Sequence, residues 1–416
     1  EISACLVGSE MCIRDSSYTN RAVDEICKML TAITPEVDFI RIGSELSCDG
    51  VYRPHLIENV LESCSTRREV QERMARCRIF VGTVATLSAK TELFRLKTFD
   101  VALIDEATQI LEPQLLGLLC MRGVTGGNAI GKFVLIGDHK QLPAVVLQSS
   151  EQSEIQDEGL RGIGLHNLKD SLFERLYRNV IRQQAVDGRQ TSAFNSRFSA
   201  FNSLDMLCRQ GRMNVEVARF PNHAFYGGLL EPVGLQHQQG ELTLAPGLEN
   251  DEFADILVRR VVFLASVPEV ASQSAKINHS EAQLVARLAA AIYRQYDGSS
   301  GFRPALTLGI ITPYRSQIAL IKSEIAALGI PCLNDILVDT VERFQGSERD
   351  VIIYSFCVNR TYQLKFLANL TEEGGVWIDR KLNVALTRAR KQLFMTGVPH
   401  LLRQNPIYAD LLDSIF

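Results

Sequence analysis

Apolar positions along the chain fall into two sets of short runs, each interleaved with stretches of helical spacing. In residues 22–30, Val23, Ile26, Met29 and Leu30 recur on one helical face, which predicts an amphipathic helix. Strands are predicted over 38–42, 78–84, 100–105 and 132–138, and the last two are continuous apolar runs that end in acid. Residues 55–76 form a charged, amphipathic helical stretch. The second set predicts strands over 261–265, 308–312, 338–341, 350–356 and 392–397, with helices over 280–296, 316–328 and 382–389. Strands that are apolar throughout are buried on both faces, and their alternation with helices implies parallel α/β sheets. Ligands of such sheets sit beyond the carboxyl ends of the strands, where the acids fall. Residues 148–203 are polar and weakly patterned apart from 171–176, as suits an inter-domain region.

The length of 416 residues implies two domains, with a third as the upper bound. Hydrophobic residues at 46 % and charged residues at 22 % exclude disorder, collagen and a simple coiled coil. No apolar run reaches the ~18–20 residues of a membrane span. With a net charge of -4, nucleic acid would meet a local basic surface rather than a global field. The ten cysteines include no C-x-x-C pair, which argues against a zinc ribbon or a dense disulfide framework and for thiols in a reducing, cytoplasmic setting.

The first residues do not read as a protein start. No basic segment precedes an apolar one, so the pattern is not a signal peptide. Residues 5–16 have neither helical nor strand period. Codons for residues 7–15 can spell a string similar to a transposase mosaic-end adapter used in sequencing libraries. Residues 1–16 are therefore taken as an adapter artefact, and the natural sequence before Ser17 as missing.

Several segments carry chemistry. Asp105-Glu-Ala-Thr-Gln109 follows a buried strand, and adjacent acids at a strand end suit magnesium and water activation in phosphoryl transfer. Taken alone, the pair is equally a helix-start charge pair. Gly137-Asp-His-Lys-Gln-Leu-Pro143 follows the next strand, and Gln141 offers an amide to a phosphate or a water. Thr340-Val-Glu-Arg-Phe-Gln-Gly-Ser-Glu348 joins two later strands. Arg388 and Arg390 stand on the predicted helical segment 382–390, where two positions separate them by about 200°.

In this order the segments resemble superfamily 1 helicases of the branch that includes the nonsense-mediated-decay RNA helicase and its DNA-acting relatives. Asn20-Arg-Ala-Val-Asp-Glu25 resembles motif Ia, and Val81-Gly-Thr-Val84 the loop before motif II. Residues 105–109 match motif II, 137–143 motif III, 311–317 motif IV, 340–348 motif V and 382–390 motif VI. Gln210-Gly-Arg-Met213 is similar to the Gln-Tyr-Arg-Met box, followed by Phe220-Pro-Asn and Phe225-Tyr-Gly-Gly. The resemblance covers residues 17–400.

That resemblance implies two RecA-like α/β domains of the P-loop NTPase type, the first over 17–200 with a helical insertion at 50–77, the second over 201–416. It implies ATP and Mg2+ as cofactors, single-stranded DNA or RNA as partner, and no membrane. Asp105 would hold Mg2+ and Glu106 would serve as general base. Gln141 would sense the γ-phosphate, with Arg212 and Arg388 as arginine fingers. Gln345, Gly346 and Glu348 would line the nucleotide, Glu348 on the ribose. Thr83, Thr312, Pro313 and Arg315 would line the strand track. Two departures stand out. The P-loop, G-x-x-x-x-G-K-[ST], is absent, and the adapter-like stretch occupies its place. Gly211 replaces the usual Tyr, which removes a stacking ring. The parent protein is thus expected to be an ATP-driven helicase or translocase and this chain by itself inactive, the alternative being a non-hydrolytic nucleic-acid-binding or scaffold protein on a degenerate helicase fold.

Overall fold

The structure is a computed structural model that describes residues 13–17, 20–33, 36–186, 203–269 and 274–415. Most of the adapter-like segment, residues 1–12, lies outside the described residues. The chain divides into two compact units. The first takes Glu1–His139 and Pro143–Asp205, the second Lys140–Leu142 and Met206–Phe416.

In the first unit β1 (Ile13–Ser17), β2 (Phe39–Ile42), β3 (Ile79–Thr83), β4 (Phe99–Ile104) and β5 (Ile130–Leu135) form one parallel sheet, ordered β2-β3-β1-β4-β5. Every residue of β2 and β3 is buried, so neither run alternates, and the one charge in them, Arg41, needs a partner. β1 departs from the sequence reading, which found no strand period at 5–16. Strand pairing is a backbone property, and the neighbouring β3 and β4 supply donors and acceptors to whatever segment lies between them.

The helix Asn20–Ile33 buries Val23, Ile26, Cys27 and Leu30. Met29, placed on that face from sequence, is 53 % exposed, because the inward stripe runs through Cys27 instead. Arg41 of β2 is fully buried and donates through Nε and Nη2 to Asp24 Oδ1 at 3.1 and 2.8 Å, tying this helix to the sheet. The stretch 55–76 is two helices, Ile57–Leu61 and Arg67–Arg76. Thr66 and Glu69 form a capping box that restarts the chain at the second. The polar region 148–203 contains a longer helix than 171–176 suggested, Leu172–Val186, and its remainder at 187–202 lies outside the described residues.

In the second unit two short strands, β6 (Arg209–Gln210) and β7 (Glu231–Pro232), pair ahead of the main sheet. That sheet consists of β8 (Val261–Ala265), β9 (Leu308–Ile311), β10 (Leu337–Asp339), β11 (Arg349–Ser355) and β14 (Ala389–Gly397). All its pairs are parallel, in the order β10-β9-β11-β14-β8, and β9 and β11 are buried along their whole length. An antiparallel hairpin, β12 (Leu370–Glu373) and β13 (Val376–Asp379), precedes β14. The chain is therefore α/β throughout, with two RecA-like parallel sheets. Among the described residues no helix is long and apolar enough to cross a membrane.

Two predicted ends are corrected. The strand expected over 338–341 stops at Asp339, whose Oδ1 accepts from Thr340 N at 2.8 Å and turns the chain into the helix Val341–Phe344. The helix expected over 382–390 is Arg380–Leu386. Thr387 folds its hydroxyl back onto Asn383 O at 2.7 Å, and pairing with β11 draws the chain into β14 from Ala389. Arg388 and Arg390 are therefore not separated by helical rotation.

A buried acid sits at the carboxyl edge of this sheet. Glu281, in the first turn of the helix His279–Asp297, is wholly buried. It accepts from Ser355 Oγ at 2.7 Å, Cys357 N at 2.9 Å and Ser266 Oγ at 3.0 Å. Cys357 holds a left-handed φ of +48°, a strained position for a residue with a Cβ. Burial pushes the Glu281 carboxyl up from 4.5 to about 7, against the pull of its three donors. Between those values the folded chain keeps a proton that the unfolded chain has lost, so this group's contribution to stability falls as pH rises through the window. Glu281→Gln is expected to flatten that dependence: relative to the parent it gains on the order of 2–3 kcal/mol between pH 5 and pH 8. Denaturant unfolding at both pH values measures the difference, and parallel shifts of parent and variant would reject it.

Candidate nucleotide site

The first unit supplies the acids. Asp105 directly follows β4, and its carboxyl lies above its usual range because burial outweighs the single backbone N–H donated by Glu106 at 2.9 Å. Glu106 adopts left-handed φ 52°, ψ 35°, and breaks the strand into a 3-10 turn, Ala107–Gln109. Gln109 Nε2 donates to Glu106 Oε2 at 2.7 Å and fixes the carboxylate. The turn is held from β5's side by Ala107 N to Ile136 O at 2.8 Å. Gly137 fits closely there: a Cβ would meet Thr108 Cγ2 at 3.0 Å and Thr108 N at 3.1 Å, closer than ordinary van der Waals contact. Segments 105–109 and 137–143 thus touch through a glycine.

Motif III then changes unit. Lys140–Leu142 cluster with the second unit. Lys140 Nζ donates to Phe225 O at 2.8 Å, and Asn383 Nδ2 donates to Lys140 O at 2.8 Å and to Tyr226 Oη at 2.9 Å. Gln345 Nε2 reaches Leu142 O at 3.3 Å. Gln141 Oε1 accepts from Arg388 Nη2 at 3.1 Å. Sequence reasoning overlooked Lys140 and Asn383, although both lie inside quoted motifs.

Arg388 is 2 % exposed. Besides Gln141 it donates to Val384 O at 3.1 Å, Ser347 O at 3.4 Å and Thr387 Oγ1 at 3.3 Å. Arg390, from β14, is partly exposed and meets Glu348 and Asp350, each at 3.4 Å. Arg212 donates from Nε to Glu348 Oε2 at 2.8 Å and from Nη1 to Thr387 O at 3.5 Å. Its loop is closed by Gln210, whose Oε1 accepts from Met213 N at 2.7 Å while Nε2 donates to Met213 O at 2.9 Å. A Cβ at Gly211 would lie 3.6 Å from Val233 Cγ2, so this backbone does not demand glycine. Gly346, by contrast, has φ +72° and needs it. Glu348 therefore stands between two arginines, with Gln345 and Gly346 on the same turn.

The four residues read as a strand track differ among themselves. Thr83 is 7 % exposed, and its Oγ1 caps the helix Val84–Ala89 by accepting from Thr86 N at 3.2 Å. Thr312 is fully buried and its Oγ1 has no partner. Pro313 is half-buried, and Arg315 is exposed at the start of the helix Arg315–Ala327. The closest approach to a phosphate loop, Gly126-Gly-Asn-Ala-Ile-Gly-Lys132, is followed by Phe133 instead of Ser or Thr. Gly131 and Lys132 are already strand residues of β5, so no helix N-terminus follows to cradle a phosphate.

Residues 168–400 match the AAA domain family of one profile, and residues 57–149 match a second AAA domain profile. The chain belongs to the AAA domain family. It is 30 % identical over 398 residues to the DNA replication ATP-dependent helicase/nuclease DNA2 of Gallus gallus, across 94 % of this chain and 32 % of that protein. It is 28 % identical over 352 residues to an uncharacterized ATP-dependent helicase of Methanocaldococcus jannaschii, across 83 % of this chain and 43 % of the relative. An arterivirus helicase solved with DNA aligns over 96 % of this chain and 57 % of its own at a TM-score of 0.43 and 11 % identity. The chain spans about a third of the length of the DNA2 relatives it matches.

The two motif VI arginines are expected to separate in a stability measurement. Arg388→Ala leaves several buried acceptors without a donor and should cost about 2–4 kcal/mol. Arg390→Ala removes partly exposed ion pairs and should cost about 0–1 kcal/mol. Urea midpoints of the two variants test this, and equal losses would show that burial does not set the difference.

Proposed function

We propose that the chain is the motor part of an ATP-dependent helicase or translocase acting on single-stranded DNA or RNA, of the branch that resembles the nonsense-mediated-decay RNA helicase and its DNA-acting relatives. The observation that carries the reading is the Arg388–Gln141 hydrogen bond at 3.1 Å, which joins the motif VI arginine to the motif III amide. The half-buried Asp105 and the left-handed Glu106 support it from the first unit.

Asp105 suits a magnesium ion: it is a half-buried carboxylate with one backbone donor, and Mg2+ takes few protein ligands, its remaining positions going to phosphates and water. Bound Mg2+ would neutralise charge on the phosphates. Glu106, anchored by Gln109, takes the proton of the attacking water. Gln141 orients that water or the γ-phosphate, and Arg212 and Arg388 stabilise charge on the transferring group. Glu348 holds Arg212 and Arg390 and offers a carboxylate to a ribose hydroxyl. Thr83, Thr312, Pro313 and Arg315 form the strand track, with Arg315 supplying the exposed charge.

The absence of a G-x-x-x-x-G-K-[ST] segment favours a second reading of this chain by itself, strand binding without turnover. The 416-residue chain is expected to show negligible strand-stimulated ATPase, and a chain extended upstream through a P-loop to show robust turnover. Steady-state phosphate release from both decides it, and robust turnover by the short chain would sink the idea. In the extended chain, Glu106→Gln should keep ATP binding and lose ~10²–10⁴-fold in rate. Arg388→Ala should lose ~10³–10⁵-fold. Parent-level turnover by either variant would remove that residue from the mechanism.

A further inference from the structure

The most exposed aromatic side chains among the described residues come from one stretch of the second unit: Tyr362 at 54 %, Phe366 at 65 % and Trp377 at 54 %. Tyr362 and Phe366 stand on a short helical run, Thr361–Gln363 continuing as Leu364–Leu367. Its inward face is Gln363, Leu364 and Leu367, all buried. Its outward face is Tyr362, Lys365 and Phe366. Solvated helix faces carry charge and small polar groups, and keeping two large rings in water costs free energy that a ligand can recover. Rings beside a lysine are the chemistry of a surface that stacks bases and holds phosphates.

The position of the run agrees with that chemistry. It follows β11 beyond its carboxyl end, where ligands of parallel sheets bind. Gln363 Nε2 donates to Tyr314 Oη at 3.1 Å and to Ala275 O at 2.8 Å, and Gln363 Oε1 accepts from Asn359 N and Arg360 N, each at 2.9 Å. The run is thereby fixed against residues 312–315. Lys381 Nζ donates to Phe366 O at 3.4 Å while paired with Glu342 at 3.4 Å, which ties the run to the helix Arg380–Leu386. Four residues separate the rings, about 6 Å along a helix axis and within reach of neighbouring bases of one strand.

We propose that Tyr362 and Phe366 form a base-stacking ledge for single-stranded nucleic acid, with Lys365 on its phosphates. This rests on the strand-binding function proposed above and extends the track beyond motif IV. The ledge is indifferent to sequence, because every base presents a π-face, but it requires bases.

The test is fluorescence anisotropy of the 416-residue chain with labelled oligo(dT), oligo(U) and an abasic strand of about twenty nucleotides. The parent should bind a based strand at least ~10-fold more tightly than the abasic one. Tyr362→Ala with Phe366→Ala should weaken based-strand binding ~10–100-fold and leave abasic binding unchanged. Tyr362→Phe with Phe366→Trp should restore parent affinity. Lys365→Ala should lower the slope of log affinity against log salt by about 1. Undiminished affinity of the double alanine variant overturns the ledge, leaves the helicase reading standing, and assigns the surface to a protein partner. A parent that binds neither oligonucleotide overturns both. If the double alanine variant does not fold, the parent's based-against-abasic ratio decides, and a ratio near one overturns the ledge.

Discussion

A guanidinium with 2 % exposure must find acceptors, and in the second unit Arg388 finds them on three separate segments at once. Gln141 belongs to segment 137–143, Ser347 to 340–348 and Val384 to 382–390. An unsatisfied buried cation costs far more than a lost hydrogen bond, so the positions of these three segments are mutually constrained. The withdrawal of Lys140–Leu142 into the second unit follows the same logic, since Lys140, Gln141 and Leu142 each meet a second-unit partner through a side chain or carbonyl.

The parallel sheets dictate where such groups can lie. β3, β9 and β11 are buried along their entire length and apolar through their middles, so polar chemistry is displaced to the strand ends. Much of it gathers at the carboxyl ends: Thr83 closing β3, Asp105 and Glu106 after β4, Thr312 after β9, Glu281 with Ser355 and Cys357 at the end of β11. Strain gathers there too. Glu106 and Cys357 are the non-glycine residues with positive φ among those described, and each sits where a strand is broken sharply into a turn. The Glu106 turn aims a carboxylate, and the Cys357 turn feeds its N–H to a buried acid.

The structure also divides residues that a motif comparison groups together. Thr83 and Thr312 are buried, with one hydroxyl spent on a helix cap, whereas Arg315 is exposed. Arg388 is enclosed, while Arg390 shares Glu348 with Arg212 at a more open position. Neighbouring positions of one short segment thus differ sharply in burial.

The sequence by itself determined the α/β class, the buried parallel strands and the ordered motifs, because those depend on local period and on residue types that tolerate few alternatives. β8 was legible to the residue, its apolar run being bounded on both sides by polar positions. Element ends were less legible. The motif VI helix closes at Thr387 because β14 must pair with β11, and no local signal in 382–390 announces that competition. Met29 and Cys27 exchange places because the inward stripe is set by what the helix packs against. The acids, arginines and Gln141 could be named from their spacing, but their partners could not. That Gln141 binds Arg388, that Glu348 holds two arginines and that Glu281 is wholly buried are facts of chain segments far apart in sequence. Only tertiary structure decided them, because burial and hydrogen-bond satisfaction are properties of the packed chain rather than of any window along it.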